Sequence, residues 1–231
     1  MRNFVLVPGA WHGGWCWRRL VPLLREAGHA AHPITLTGLG ERAHLATPET
    51  GLEVHVRDVL GVLECEDLRE VILVGHSYAG CVAAGVAARA PERLARLAIL
   101  DGFLPADGQS LGDLKGAAWV ERIAERAHRA GCAWLVPPPD NDTFGVTDPA
   151  DADWLRRKLT PHPLRAFLEP VRIARPLARE GFGKTYIQCR LPGERAWETP
   201  DPAFERVELE AGHDAMLSAP RALADLLLKL A

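Results

Sequence analysis

Gly75-His76-Ser77-Tyr78-Ala79-Gly80 places a serine between an apolar run, residues 71–74, and an alanine-rich stretch that stops at Pro91. A strand that turns tightly into a helix exposes a serine hydroxyl at the turn. Small residues two positions to either side, here Gly75 and Ala79, are what the turn needs. The helix N-terminus aims backbone N–H groups at charge developing beside the serine. A serine cap on an ordinary turn would use the same residue types, but the strand before and the helix after favour a nucleophile. A hydroxyl is a weak nucleophile at neutral pH and needs a base. His213 lies in Glu210-Ala211-Gly212-His213-Asp214, between the last strand-like run and the last helical one. Any late loop histidine could sit there by chance. Its place after the last strand, behind Ala-Gly, fits the chain order nucleophile, acid, base.

These residues need a scaffold, and the chain alternates short apolar strands with helical patterns. Residues 4–7 read as a strand stopped by Pro8-Gly9, and 15–27 as a helix capped by Gly28. A weaker strand at 30–36 contains Pro33. Residues 52–64 read as a helix, 71–74 as a strand, 78–90 as a helix and 97–100 as a strand. Strand character returns at 185–189 and 204–209, and one helix over 215–230 closes the chain. Repeated strand–helix units predict a mostly parallel, doubly wound sheet covered on both faces. Residues 103–183 break the rhythm with helical pieces among prolines. They read as a helical cap inserted before the penultimate strand, on a core made of 1–102 and 184–231.

The chain has 231 residues, 48% hydrophobic and 25% charged, with a net charge of −3. That is the composition of a globular α/β protein and disfavours a basic nucleic-acid binder. No apolar run reaches the ~18 residues of a membrane span, and the N-terminal apolar run is too short for a signal peptide. The cytoplasm is the expected location. Cys16, Cys65, Cys81, Cys132 and Cys189 are scattered without a Cys-x-x-Cys pair, so neither a zinc site nor a disulfide framework is expected. No metal or organic cofactor is implied.

Taken together, Val5-Leu6-Val7-Pro8-Gly9-Ala10-Trp11-His12-Gly13-Gly14-Trp15-Cys16-Trp17, the serine turn, Leu100-Asp101-Gly102-Phe103-Leu104-Pro105 and the late Gly-His resemble the α/β-hydrolase fold. Within it the chain is similar to the small branch of plant methylesterases, hydroxynitrile lyases and related bacterial esterases. The resemblance covers residues 3–110 and 184–230. It implies an oxyanion hole from the backbone N–H groups of Ala10 and Tyr78. It also matches His12 to a first-loop histidine, whose expected role is to hydrogen-bond the loop backbone. The chain departs from the family in three places. Pro8-Gly9 stands where His-Gly is usual. Gly9 and Asp214 stand where the lyases carry a hydroxyl and a lysine, which argues against cyanohydrin cleavage. Pro192, in Arg190-Leu191-Pro192-Gly193-Glu194, stands where the triad aspartate normally follows its strand. Glu194 could substitute. So could Asp101, which ends the neighbouring strand, as in haloalkane dehalogenases. A dyad without an acid would also turn over at reduced rate. Asp101 is the preferred acid.

In the cap, Trp119, Trp134, Phe144, Trp154 and Phe167 could line an apolar acyl pocket, though holding the cap to the sheet is the commoner role of such rings. Asp140, Asp142, Asp148, Asp151 and Asp153 precede a basic run of Arg156, Arg157, Lys158, Arg165, Arg172, Arg175 and Arg179. Two solvated faces are the plainer reading; docking of an acidic acyl-carrier protein or a pantetheine arm is the sharper one. The expected function is serine-dependent acyl transfer from a small ester or thioester to water. One alternative is an acyltransferase that moves an acyl group from a carrier-protein or pantetheine thioester to a biosynthetic acceptor. Another is a catalytically silent small-molecule-binding protein.

Overall fold

The computed structural model describes residues 1–140, 144–191 and 201–231. Among the described residues there are eight strands: β1 (Asn3–Val7), β2 (Ala30–Pro33), β3 (Val71–His76), β4 (Leu94–Leu100), β5 (Leu135–Val136), β6 (His162–Pro163), β7 (Gly183–Cys189) and β8 (Glu205–Leu209). The helices are α1 (Leu20–Glu26), α2 (Leu52–Cys65), α3 (Ala79–Ala87), α4 (Leu111–Lys115), α5 (Ala117–Arg129), α6 (Pro149–Lys158), α7 (Leu164–Leu168), α8 (Ala215–Ser218) and α9 (Pro220–Lys229). Six strands form one sheet in the order β2-β1-β3-β4-β7-β8, and every pairing in it is parallel. This is the α/β-hydrolase fold.

Successive strand residues point to opposite faces, and the apolar residues divide accordingly. Val5, Val7, Leu73, Leu97 and Ile99 join the core under α2 and α3. Phe4, Leu6, Ile72, Val74 and Leu100 join the core under α1 and α9. Both faces are covered, so the strands need no polar alternation. All nine residues of α3 are buried, which its Ala and Gly content permits at close range.

Three expectations change in detail. The helix expected over 15–27 begins with a 3₁₀ stretch, Gly14–Arg19, before α1. The closing helix is two helices, because Pro220 lacks an N–H and disfavours helical backbone before it; Ala219 sits at φ −139°, ψ 50°. The segment between β4 and β7 is not purely helical: β5 and β6 form an antiparallel pair within it. That segment also packs on both faces. Ile123, Ala127 and Phe167 join the α2/α3 core, whereas Phe144, Val146 and Leu155 join the α1/α9 core.

Candidate active site

Ser77 follows β3 directly and has φ +53°, the left-handed backbone that non-glycine residues avoid. The turn closes tightly around it. A Cβ on Gly75 would stand 2.5 Å from the Ala79 carbonyl oxygen and 2.8 Å from the Ala83 methyl group. The turn is tied to the loop after β4: Ser77 N–H donates to Leu100 C=O (3.0 Å), and Phe103 N–H donates to Ser77 C=O (3.1 Å). These bonds hold the serine over the carboxyl ends of two adjacent strands, where open α/β sheets place their ligands.

Asp101 stands at the end of β4 with φ +44°, a conformation that aspartate tolerates better than most residues. Its Oδ1 accepts from the Cys189 N–H at the end of β7 (3.1 Å), and its Oδ2 accepts from His213 Nδ1 (2.5 Å). His213 is held from the other side too. His76 Nε2–H donates to the His213 carbonyl (3.1 Å), the two rings lie 4.6 Å apart, and His76 immediately precedes Ser77. The Phe144 ring stacks beside His213 at 6.2 Å.

The third component is the loop after β1. Ala10 N–H and Tyr78 N–H donate to no protein acceptor among the described residues. A Cβ on Gly9 would come within 2.9 Å of Ser77 Cβ, so this loop lies directly against the serine. After Ala10 the chain kinks at Trp11, φ +66°. Trp11 N–H donates to His162 Nδ1 (3.3 Å), and Trp11 C=O accepts from Thr160 N–H (3.0 Å), so the segment between β4 and β7 grips the loop.

The sequence profile of the alpha/beta hydrolase family matches residues 4–226. The chain belongs to that family. Over 250 residues it is 38% identical to a carbendazim hydrolyzing esterase of Nocardioides sp. (strain SG-4G), covering all of both chains. It is 28% identical to salicylic acid-binding protein 2 of Nicotiana tabacum, covering all of this chain and 97% of that one. A solved extracellular α/β-hydrolase from a Paenibacillus species superposes with TM-score 0.84 at 23% identity, covering 100% of this chain and 99% of the other. The relatives named esterases and methylesterases mark this α/β-hydrolase as an enzyme of the esterase kind.

Buried histidines surround the hydrolase's serine turn. Tyr78 is buried, and its O–H donates to His55 Nδ1 (2.8 Å), because His55 Nε2–H is committed to the Thr37 carbonyl (2.9 Å). Burial pushes the His55 imidazole down to about 4. His162, stacked on Phe167 at 4.2 Å, is likewise pushed down by burial and then by the neighbouring His55 and His12. His76 is lowered by burial and by the proximity of His213. His12 Nδ1 lies 2.7 Å from the Ala10 carbonyl oxygen, and its Nε2 lies 2.9 Å from Asp214 Oδ2. Burial alone would raise the Asp214 carboxyl, but the charge and hydrogen bond of His12, with His76 and His213 nearby, hold it below the usual range.

The residues singled out from the sequence converge unevenly. Ser77, His213, Asp101, Ala10, Tyr78 and His12 come together at one end of the sheet. Pro192 and Glu194 lie outside the described residues, as does Asp142. Among the rings, Phe144 stacks beside His213 and packs edge-on to His12. Phe167 is in the core against Tyr78 and His162. Trp119 meets Phe167 edge-on, and Trp134 is half-buried beside β5. Trp154 lies elsewhere, edge-on to Trp15 and beneath Arg18. His55, His162 and Asp214 were not assigned a role by sequence reasoning. Nothing periodic or local marks them, since their partners are up to 202 residues away. No group of His, Cys, Asp and Glu among the described residues could hold a metal ion, and none of their helices is long and apolar enough to cross a membrane.

Proposed function

We propose that this esterase hydrolyses small esters through a covalent Ser77 acyl-enzyme. The observation that carries the reading is the Asp101–His213 hydrogen bond, 2.5 Å long, in a loop held against the residue before Ser77. Ser77 Oγ attacks the ester carbonyl while His213 Nε2 takes its proton. Asp101 keeps the His213 proton on Nδ1, so that Nε2 is the basic nitrogen, and stabilises the imidazolium that forms. The developing oxyanion is met by the Ala10 and Tyr78 N–H groups. His213 returns the proton to the departing alcohol. It then deprotonates a water, which attacks the acyl carbonyl, and collapse of the second intermediate releases the acid and frees Ser77.

The Trp11 and Phe144 rings beside this machinery support a flat, apolar acyl group. The relatives named methylesterases make methyl esters the first substrates to try, and the relative's carbendazim is a second. Transfer from an acidic carrier has less support, because part of the basic run is internally paired: Arg156 with Asp153 and Arg165 with Glu169. Reversing the exposed Arg172 and Arg175 to Glu is expected to leave kcat/KM unchanged for both free esters and a carrier-bound thioester. A fall confined to the carrier-bound donor would move the reading to the acyltransferase. The primary test is mass spectrometry after a fluorophosphonate probe. One adduct on Ser77 is expected, with none on a folded, inactive Ser77→Ala variant. Wild-type protein that binds ligand yet stays unlabelled would favour the silent binder.

A further inference from the structure

Ala10 would contribute its N–H to the oxyanion hole, yet that N–H belongs to the peptide shared with Gly9, and nothing in the triad fixes that peptide. His12 does. Its backbone N–H donates to the Gly9 carbonyl (3.4 Å), the other end of the peptide that carries the Ala10 N–H. Its side-chain Nδ1 lies 2.7 Å from the next carbonyl, that of Ala10. One residue therefore grips both peptide planes flanking Ala10, on a loop that then turns through the unfavourable φ +66° at Trp11.

The grip works only with the proton on Nδ1, since a carbonyl can only accept. The other nitrogen, Nε2, faces Asp214 Oδ2 at 2.9 Å, and the two side chains are 1% and 0% exposed. A carboxylate also only accepts, so the geometry calls for an N–H at each nitrogen. The result is an imidazolium whose charge Asp214 cancels. Either charge alone would be strongly disfavoured at such burial. Charged and titratable neighbours are few. His76 Nε2 approaches Asp214 Oδ1 at 3.8 Å, while Cys16 and His213 also feel the Asp214 charge. His162 also feels the His12 ring, the His76 ring meets it edge-on at 6.3 Å, and Trp15, stacked at 5.3 Å, and Phe144, edge-on at 5.2 Å, pack against it. Asp214 is also the residue after His213, so the pair joins the loop of the base to the loop of the oxyanion hole.

We propose that His12 and Asp214 are a buried positioning pair that sets the oxyanion hole, with Asp214 locking His12 in the protonation state that grips Ala10. This rests on Ala10 being an oxyanion donor, but it is tested separately. Removing one oxyanion-hole donor typically costs ~10²–10³ in kcat. His12→Ala, which leaves the N–H in place but misaimed, is expected to lower kcat about 10²-fold with KM within about three-fold. Affinity for a trifluoromethyl ketone, which forms an oxyanion on Ser77, should fall by the same factor, while affinity for the product acid stays unchanged. Asp214→Ala should lower kcat about ten-fold or more, and the double variant should be no worse than His12→Ala, because the two act as one unit. Asp214→Asn can donate from its amide to a neutral His12 Nε2 and keep the proton on Nδ1, so it should stay within a few-fold of wild type. Nitrogen-15 NMR of the unaltered protein at neutral pH should show protons on both His12 ring nitrogens, a reading that needs no variant to fold. A bare nitrogen at either position overturns the proposal. So does His12→Ala with wild-type kcat, or an additive double variant. If wild-type Ser77 takes no fluorophosphonate, the acyl-enzyme reading has failed; if Ser77 is labelled and His12→Ala is fully active, only the positioning pair has.

Discussion

Asp101 splits its carboxylate between Cys189 N–H and His213 Nδ1, and that division predicts what an amide would do there. In Asp101→Asn the oxygen can stay on Cys189 N–H, which turns the amide N–H₂ toward His213. The ring must then accept at Nδ1 and carry its proton on Nε2, the wrong tautomer for a base. Loss of this orientation in a serine protease costs on the order of 10⁴ in kcat. The same order is expected here, with KM within a few-fold in steady-state kinetics; a drop of only a few-fold would assign the enzyme to a dyad. Gly9 makes a second prediction. A methyl group there would press on Ser77 Cβ and His76 Nδ1, both at 2.9 Å. Gly9→Ser, which would place a lyase-like hydroxyl next to the hole, is expected to cost about 1–3 kcal/mol in denaturant unfolding and to lower esterase activity without creating cyanohydrin cleavage.

Helices α2 and α3 meet through a polar contact as well as an apolar one. Val56 and Val59 of α2 face the small residues of α3, while His55 of α2 accepts a hydrogen bond from the Tyr78 hydroxyl at the start of α3. Tyr78→Phe leaves the buried His55 Nδ1 without a donor, a loss of about 1–3 kcal/mol. The same histidine ties stability to pH. An unfolded chain binds this proton near pH 6.5, and the fold refuses it until about 4. Stability is therefore retained above 6.5 and lost as pH falls toward 4, by roughly 3 kcal/mol for this group. His76 and His162, both lowered by burial, act in the same direction. Melting temperature should fall steeply between pH 6.5 and 4 in wild type. It should fall less steeply in His55→Gln, even if that variant starts lower; equal slopes would remove His55 from the account.

At the scale of the molecule, the segment between β4 and β7 is built into the core. Leu155 of α6 is fully buried in the α1/α9 core, Phe167 of α7 is buried in the α2/α3 core, and Thr160 and His162 bind the loop beside Ala10. A detachable lid would tolerate damage with loss of activity alone. Here Leu155→Ala is expected to cost about 2–5 kcal/mol of global stability, read by denaturant unfolding, with the unfolding of the sheet and of the segment coinciding. Separate transitions would mean that the segment folds on its own.

The parallel sheet was legible because continuous apolar strands alternate with helical patterns, and Ser77 because its turn demands small residues at fixed offsets. His213 was legible from its place after the last strand. Asp101 could be preferred because it ends the strand beside β7, where a carboxylate can reach the same imidazole. Those signals are local, carried within a few residues of each site. What the sequence did not determine was which distant side chains complete them. His55, His162, Phe144 and Asp214 meet the serine turn and the loop after β1 across separations of 23 to 202 residues, and side chains so far apart leave no spacing to read. The break at Ala219 was overlooked although Pro220 announces it. The pairing of Asp214 with His12 was decided only when parallel pairing of β1, β3, β4, β7 and β8 brought their carboxyl ends to one edge. There, His12 Nε2 and Asp214 Oδ2 lie buried 2.9 Å apart.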